Sequence, residues 1–147
     1  MKEMHQQYLR QAVAMAKQNR VEGGRPFAAI LVKDGKILAT GLNEMNKTHD
    51  ASSHAELEAI RMATKNLGDV NLEGSVIYAS GHPCPMCLAA IIMTNIKSVF
   101  YAFDNSDAEP FGFSSEATYQ KLGIKKDLVR LELQKLDVGM SARELYE

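Results

Sequence analysis

Tyr8, Leu9, Ala12, Val13 and Ala16 recur at helical spacing among Lys and Gln, which predicts an amphipathic first helix. "NRVEGGRP" breaks that pattern, with Gly and Pro marking a loop. "FAAILV" and "KILATGL" flank "KDGK", where Asp34-Gly35 is a tight-turn pair. The two runs are predicted to pair as an antiparallel hairpin. The polar stretch "NEMNKTHDASS" reads as a loop. "HAELEAIRMATKNL" returns to helical spacing, with Leu57, Ile60, Ala63 and Leu67 as the expected buried stripe and Gly68 as the stop.

The second half keeps alternating. "SVIYAS" reads as a buried strand and "CPMCLAAIIMTN" as a largely buried helix with Pro85 in its first turn. "KSVFYAF" is a strand, "SSEATYQKLG" a short helix, "VRLELQKL" a fifth strand and "SARELYE" a terminal helix. Strands alternating with helices predict a layered α/β domain, and the hairpin makes its sheet mixed. No repeat, low-complexity tract or linker divides the sequence, so residues 1–147 are expected to form one domain.

Composition narrows the classes. Apolar residues make up 46% of the 147 positions, enough for a core without disulfides. Lys and Arg number 17 against 18 Asp and Glu, a net charge of -1. That balance argues against a nucleic-acid partner. No run approaches the roughly 18 to 20 apolar residues of a membrane span. The first residues lack the apolar centre of a signal peptide. A cytoplasmic protein is expected, with its two cysteines, Cys84 and Cys87, reduced and available as ligands.

His54, Cys84 and Cys87 offer zinc-ligand chemistry. The three-residue step between the cysteines puts both on one face of a helix start, where backbone N–H groups are unpaired. His54 would bring a third donor from the start of another helix. Three protein donors leave a fourth tetrahedral position open, the arrangement of a catalytic rather than a structural zinc. Glu56, two residues beyond His54, does not share its helical face. It suits a proton-transferring acid more than a fourth ligand. Each residue also has a plainer reading. C-x-x-C occurs in redox sites and zinc knuckles, His54 alone would be an ordinary histidine, and Ser53-x-x-Glu56 fits a capping box.

The combination of H-x-E at 54–56 with P-C-x-x-C at 83–87 resembles the zinc deaminase signature. With the preceding hairpin and strand, the sequence resembles the cytidine deaminase-like superfamily, and within it bacterial guanine deaminases and related nucleobase deaminases. The resemblance implies a three-layer α/β/α sandwich around a mixed five-stranded sheet, and a homodimer. It implies Zn²⁺ on His54, Cys84 and Cys87, and Glu56 as the proton shuttle. The implied reaction is hydrolytic deamination of a nucleobase, for guanine at C2 to give xanthine. A tRNA adenosine deaminase using the same chemistry is the alternative.

The resemblance also points to a substrate pocket. Asn43 and Phe27 match substrate-binding strands, with a turn Asn and a core Phe as the plainer readings. The amides of Ala55 and Cys84 are candidates for a base carbonyl. Tyr146 resembles a terminal aromatic used as a lid, in a group whose C-terminal part can be exchanged between subunits. A surface or dimer-contact Tyr is its alternative. Two positions depart from the guanine-type pattern. Ser114 and Ser115 follow "GF" where an acid is usual, with Glu116 nearby, and His82 stands where Glu commonly precedes P-C-x-x-C. A carboxylate accepts from guanine N–H groups more strongly than Ser or neutral His. Pyrimidine, pterin and triazine rings therefore stay open as substrates. His82 is either a substrate contact or a residue behind the site, and His5 and His49 are expected in solvent.

Overall fold

The computed structural model describes residues 2–126 and 130–147. Helix α1 spans Lys2–Val21 and buries Leu9, Ala12, Val13 and Ala16, the predicted stripe. Strands β1 (Ala28–Lys33) and β2 (Lys36–Leu42) pair antiparallel. Asp34 and Gly35 both take positive φ between them, as a two-residue hairpin turn requires. A one-turn helix α2 (Met45–Thr48) interrupts the expected loop. Helix α3 (Ala55–Leu67) ends at Gly68 in the left-handed conformation. Strand β3 (Ser75–Gly81) leads into α4 (Pro85–Met93), then β4 (Ser98–Phe103). The stretch after β4 forms α5 (Asn105–Ala108) and a 3₁₀ turn (Glu109–Phe111), for which the sequence showed no periodicity. It continues into α6 (Glu116–Leu122), β5 (Glu132–Lys135) and α7 (Ala142–Tyr146). The expected fifth strand is thus shorter among the described residues, and its first residue, 129, lies outside them.

The sheet order is β2-β1-β3-β4-β5, antiparallel through β2, β1 and β3 and parallel through β3, β4 and β5. Strand alternation sends side chains to opposite faces. Ala28, Ile30, Val32, Tyr78 and Phe100 pack with α1, while Ala29, Leu31, Ile77 and Val99 pack with α3 and α4. The result is the expected three-layer α/β/α sandwich.

Three sequence expectations are corrected by packing. The buried face of α3 is Ala55, Glu56, Ala59, Ile60 and Ala63, with Leu67 43% exposed. Small residues win the sheet-facing side because α3 lies close on β2. Helix α4 is not buried all round, since Met86, Ala89, Ile92 and Met93 are exposed. His5 is partly buried rather than free in solvent. Its ring stacks on Phe100 at 4.1 Å and its Nδ1 lies 2.6 Å from the Tyr78 hydroxyl.

The approach of α3 to β2 is set at Gly41. A Cβ added there would lie 2.1 Å from the Ala55 carbonyl oxygen and 2.5 Å from the Ala59 amide nitrogen. Both are backbone atoms that cannot swing aside. Gly41→Ala is therefore expected to destabilise the fold by about 3 kcal/mol or more, read as a lowered urea midpoint. It would also displace the helix start that carries His54 and Glu56.

Candidate active site

The site forms where β3 ends, β1 begins and β2 ends, next to the carboxyl end of β4. The antiparallel register sets Phe27, just before β1, and Asn43, just after β2, at the same sheet edge as His82. Two helices start there. His54 is the N-cap residue of α3, in extended conformation, and Cys84 is the N-cap residue of α4. Pro85 occupies the first turn of α4, where its missing N–H has no helical partner to lose. Neither side chain makes a capping hydrogen bond at its own helix start. Both are turned instead to a shared centre.

At that centre the donor atoms of His54, Cys84 and Cys87 lie within 4.8 Å of one another. His54 Nδ1 is 3.4 Å from Cys84 Sγ and 3.6 Å from Cys87 Sγ. Tetrahedral zinc, with bonds near 2.3 Å to sulfur and 2.0–2.1 Å to nitrogen, sets such donors about 3.6 Å apart. The donor set and its spacing fit zinc.

Electrostatics agree with a cation site. The Cys87 thiol proton and then His54 hold the Cys84 thiol down to about 4. The Cys84 sulfur and burial push Cys87 up, and the bond to Cys84 raises His54. A bound dication would keep both sulfurs as thiolates. Burial, then the charge on Cys84, pushes the Glu56 carboxyl up to about 7. The capping box is not formed, because α3 starts one residue later than it needs and Ser53 N–H donates to the Asp50 carbonyl. Among the described residues, no other residue hydrogen-bonds the Glu56 carboxylate.

A cavity of about 340 Å³ opens onto this centre. His54, Glu56 and Cys84 line it, and so do Phe27, Asn43, Ala55 and His82. The structure thus gathers seven sequence-chosen residues on one hollow. Asn43 Oδ1 accepts from Met45 N–H at 3.0 Å, which fixes its amide so that Nδ2 is the donor end. Glu116 is not among the lining. It faces a separate surface hollow and pairs with Lys126. Tyr146 is not at the mouth either. It is buried behind the wall, its ring 5.5 Å from Phe113 and 6.0 Å from Phe27, and its hydroxyl has no partner among the described residues. The C-terminal helix α7 packs on α1 of its own chain.

Arg25, Met45, Phe113 and Thr118 line the cavity without having been singled out. Phe113 meets Phe27 edge-on at 5.7 Å. Its only sequence signal was the spacing of "FGF", which does not show where a loop folds back. Buried Asn19 is a further support. It donates to the carbonyls of Arg25 (2.7 Å) and Asn43 (2.9 Å), tying α1 to both loops that border the cavity.

Fold and donor set together define a zinc-dependent hydrolytic deaminase. The chain belongs to the family of the cytidine and deoxycytidylate deaminase zinc-binding region, whose sequence model matches residues 2–103. It is 42% identical over 119 residues to the guanine deaminase of Bacillus subtilis (strain 168), covering 80% of this chain and 76% of the relative. It is 38% identical over 98 residues to the tRNA-specific adenosine deaminase of the same organism, covering 66% and 61%. The X-ray structure of guanine deaminase from Bacillus subtilis superposes with a TM-score of 0.79 at 37% identity, covering 92% of this chain and 87% of that one. Among the described residues no helix is long and apolar enough to cross a membrane.

Proposed function

We propose that the chain deaminates a free nucleobase, guanine to xanthine and ammonia, as one domain over residues 1–147. The observation that carries this reading is a buried carboxylate that no other described residue bonds, Glu56, in a cavity that opens onto three zinc donors and an aromatic face. Zinc held by His54, Cys84 and Cys87 supplies the Lewis acid that lowers the pKa of water towards ~7. Glu56 takes one proton from the attacking water and delivers it to the ring nitrogen beside the reacting carbon, then takes the second proton of that water and delivers it to the departing amine, which leaves as ammonia. Phe27 offers a flat ring for stacking, and Asn43 Nδ2 and the Ala55 amide offer donors to a ring nitrogen or carbonyl. The 42% identity to a guanine deaminase supports guanine as the base.

The exposed apolar face of α4, with Met86, Ala89, Ile92 and Met93, supports a homodimer. Burying it on a second copy would remove contiguous apolar surface from water. A cytoplasmic location fits a chain with two free cysteines. The match to a tRNA-specific adenosine deaminase supports deamination of a tRNA base as the second reading. A net charge of -1 weighs against it, because tRNA binding draws on cationic surface.

Ammonia release from the zinc-loaded protein tests the proposal. The panel is guanine, cytosine, isocytosine, adenine, their nucleosides, pterins, aminotriazines and a tRNA anticodon stem-loop. Guanine is expected to give the highest kcat/KM. Deamination of the stem-loop with none of the free bases would reverse the assignment.

A further inference from the structure

Gly112, Phe113, Ser114 and Ser115 line the cavity. They join the 3₁₀ turn to α6, where no helix or strand pairs the backbone. An irregular wall keeps its shape only if other groups satisfy its amides. Helix α5 supplies partners for two of them. The Phe113 amide donates to the Ala108 carbonyl at 3.2 Å. The Ser115 amide donates to Asn105 Oδ1 at 3.0 Å, and the Ser115 hydroxyl reaches the same oxygen at 3.3 Å. Asn105 is buried, and its Nδ2 bonds no other described residue. The work of this side chain among the described residues is therefore done by its acceptor oxygen.

A single helical turn does not hold its shape alone, and α5 is anchored from outside. Asp104 and Asp107 form its capping box, and Lys135 of the edge strand β5 bonds their carboxylates at 3.0 and 2.7 Å. The wall bears on substrate through Phe113, whose ring meets Phe27 edge-on at 5.7 Å. Phe27 is the flat ring available for stacking in the cavity.

We propose that Asn105 is a positioning residue for substrate binding. Through Ser115 it fixes the wall that carries Phe113, and with it the Phe27 face. The inference rests on the amino-heterocycle reading above and adds a residue outside the cavity that sets the cavity's shape. Asn105 is not among the lining residues, and the zinc donors and Glu56 are carried by α3 and α4. Loss of its acceptor is therefore expected to raise KM and to spare kcat.

Steady-state kinetics on guanine test this in wild type, Asn105→Leu and Asn105→Asp. Leu keeps the approximate size of the side chain and removes the acceptor. Asp keeps the acceptor and gives up only the N–H that bonds no described residue. Asn105→Leu is expected to raise KM by about 5- to 20-fold, with kcat within about threefold and zinc content unchanged. Asn105→Asp should stay within about threefold of the wild-type KM. A merely structural Asn105 would leave less folded enzyme, lowering kcat per chain at unchanged KM, and that result overturns the proposal. So does an Asp variant as impaired in KM as the Leu variant. Amide exchange adds a readout that needs no turnover. The Ser115 amide should be protected in wild type and lose about tenfold or more of that protection in Asn105→Leu. An unprotected Ser115 amide in wild type overturns the proposal as well. Should Asn105→Leu not fold, Asn105→Ala, which adds no bulk, takes its place in both measurements. If guanine does not react, the base assignment fails by itself, and the same comparison is made on whichever panel ring releases ammonia.

Discussion

Glu56→Gln is expected to leave a folded, zinc-loaded protein that turns over about 10³-fold more slowly. Gln matches the shape of Glu and can still hydrogen-bond water, but it cannot take up a proton. The carboxylate bonds no other described residue, so little structure depends on its charge. The same substitution should stabilise the metal-free protein at alkaline pH. The ordinary value of 4.5 is raised to about 7 in the fold, chiefly by burial. Below pH 4.5 the group is protonated in both states and contributes no difference. As pH rises from 4.5 to 7 the unfolded chain ionises first, so the wild type loses stability. Above pH 7 that loss is complete, at roughly 3 kcal/mol. Denaturation of chelated protein should therefore show the variant more stable at pH 8 and equal at pH 4. Turnover within tenfold of wild type would remove Glu56 from proton transfer.

Cys84→Ala is expected to lose zinc and to lower kcat/KM by about 10⁴-fold, from the several kcal/mol that Lewis-acid stabilisation supplies. Chelating the wild type should do the same and be reversed by added zinc. Stability should fall along with activity. His54 and Cys84 occupy N-cap positions yet cap nothing, giving up about 1 kcal/mol each. A bound zinc would join the two helix starts instead. Mass action makes it worth about 4 kcal/mol when free zinc exceeds its Kd a thousandfold. The checks are metal analysis, ammonia release and melting temperature with and without chelator. A Cys84→Ala protein that keeps one zinc per chain would remove Cys84 from the ligand set.

The legible parts of the sequence are those in which local chemistry and pattern agree. The hairpin at Asp34-Gly35 has one low-energy turn, and Gly68 stops α3 because it accepts a left-handed backbone. H-x-E and P-C-x-x-C are visible because metal chemistry permits few residue types. The less legible parts depend on neighbours distant in sequence. Leu57 and Leu67 read as core by hydrophobicity, but the tight seat of Gly41 against Ala55 and Ala59 turns smaller residues inward. His5 reads as a solvated residue, yet it stacks on Phe100 of β4. Ser53-x-x-Glu56 reads as a cap, and only the start of α3 at Ala55 removes that reading.

The sequence alone determined the layered α/β class, the hairpin and the residue types able to hold a metal, because these follow from periodicity, turn stereochemistry and ligand preference. The tertiary structure decided which of those residues meet. Sheet register set Phe27, Asn43 and His82 around the start of two helices, while the packing of α6 and α7 left Glu116 paired with Lys126 outside the cavity and Tyr146 behind its wall. The physical reason is range: a helix period or a turn acts within a few residues, whereas a cavity is closed by side chains up to about ninety positions apart, from Arg25 to Thr118.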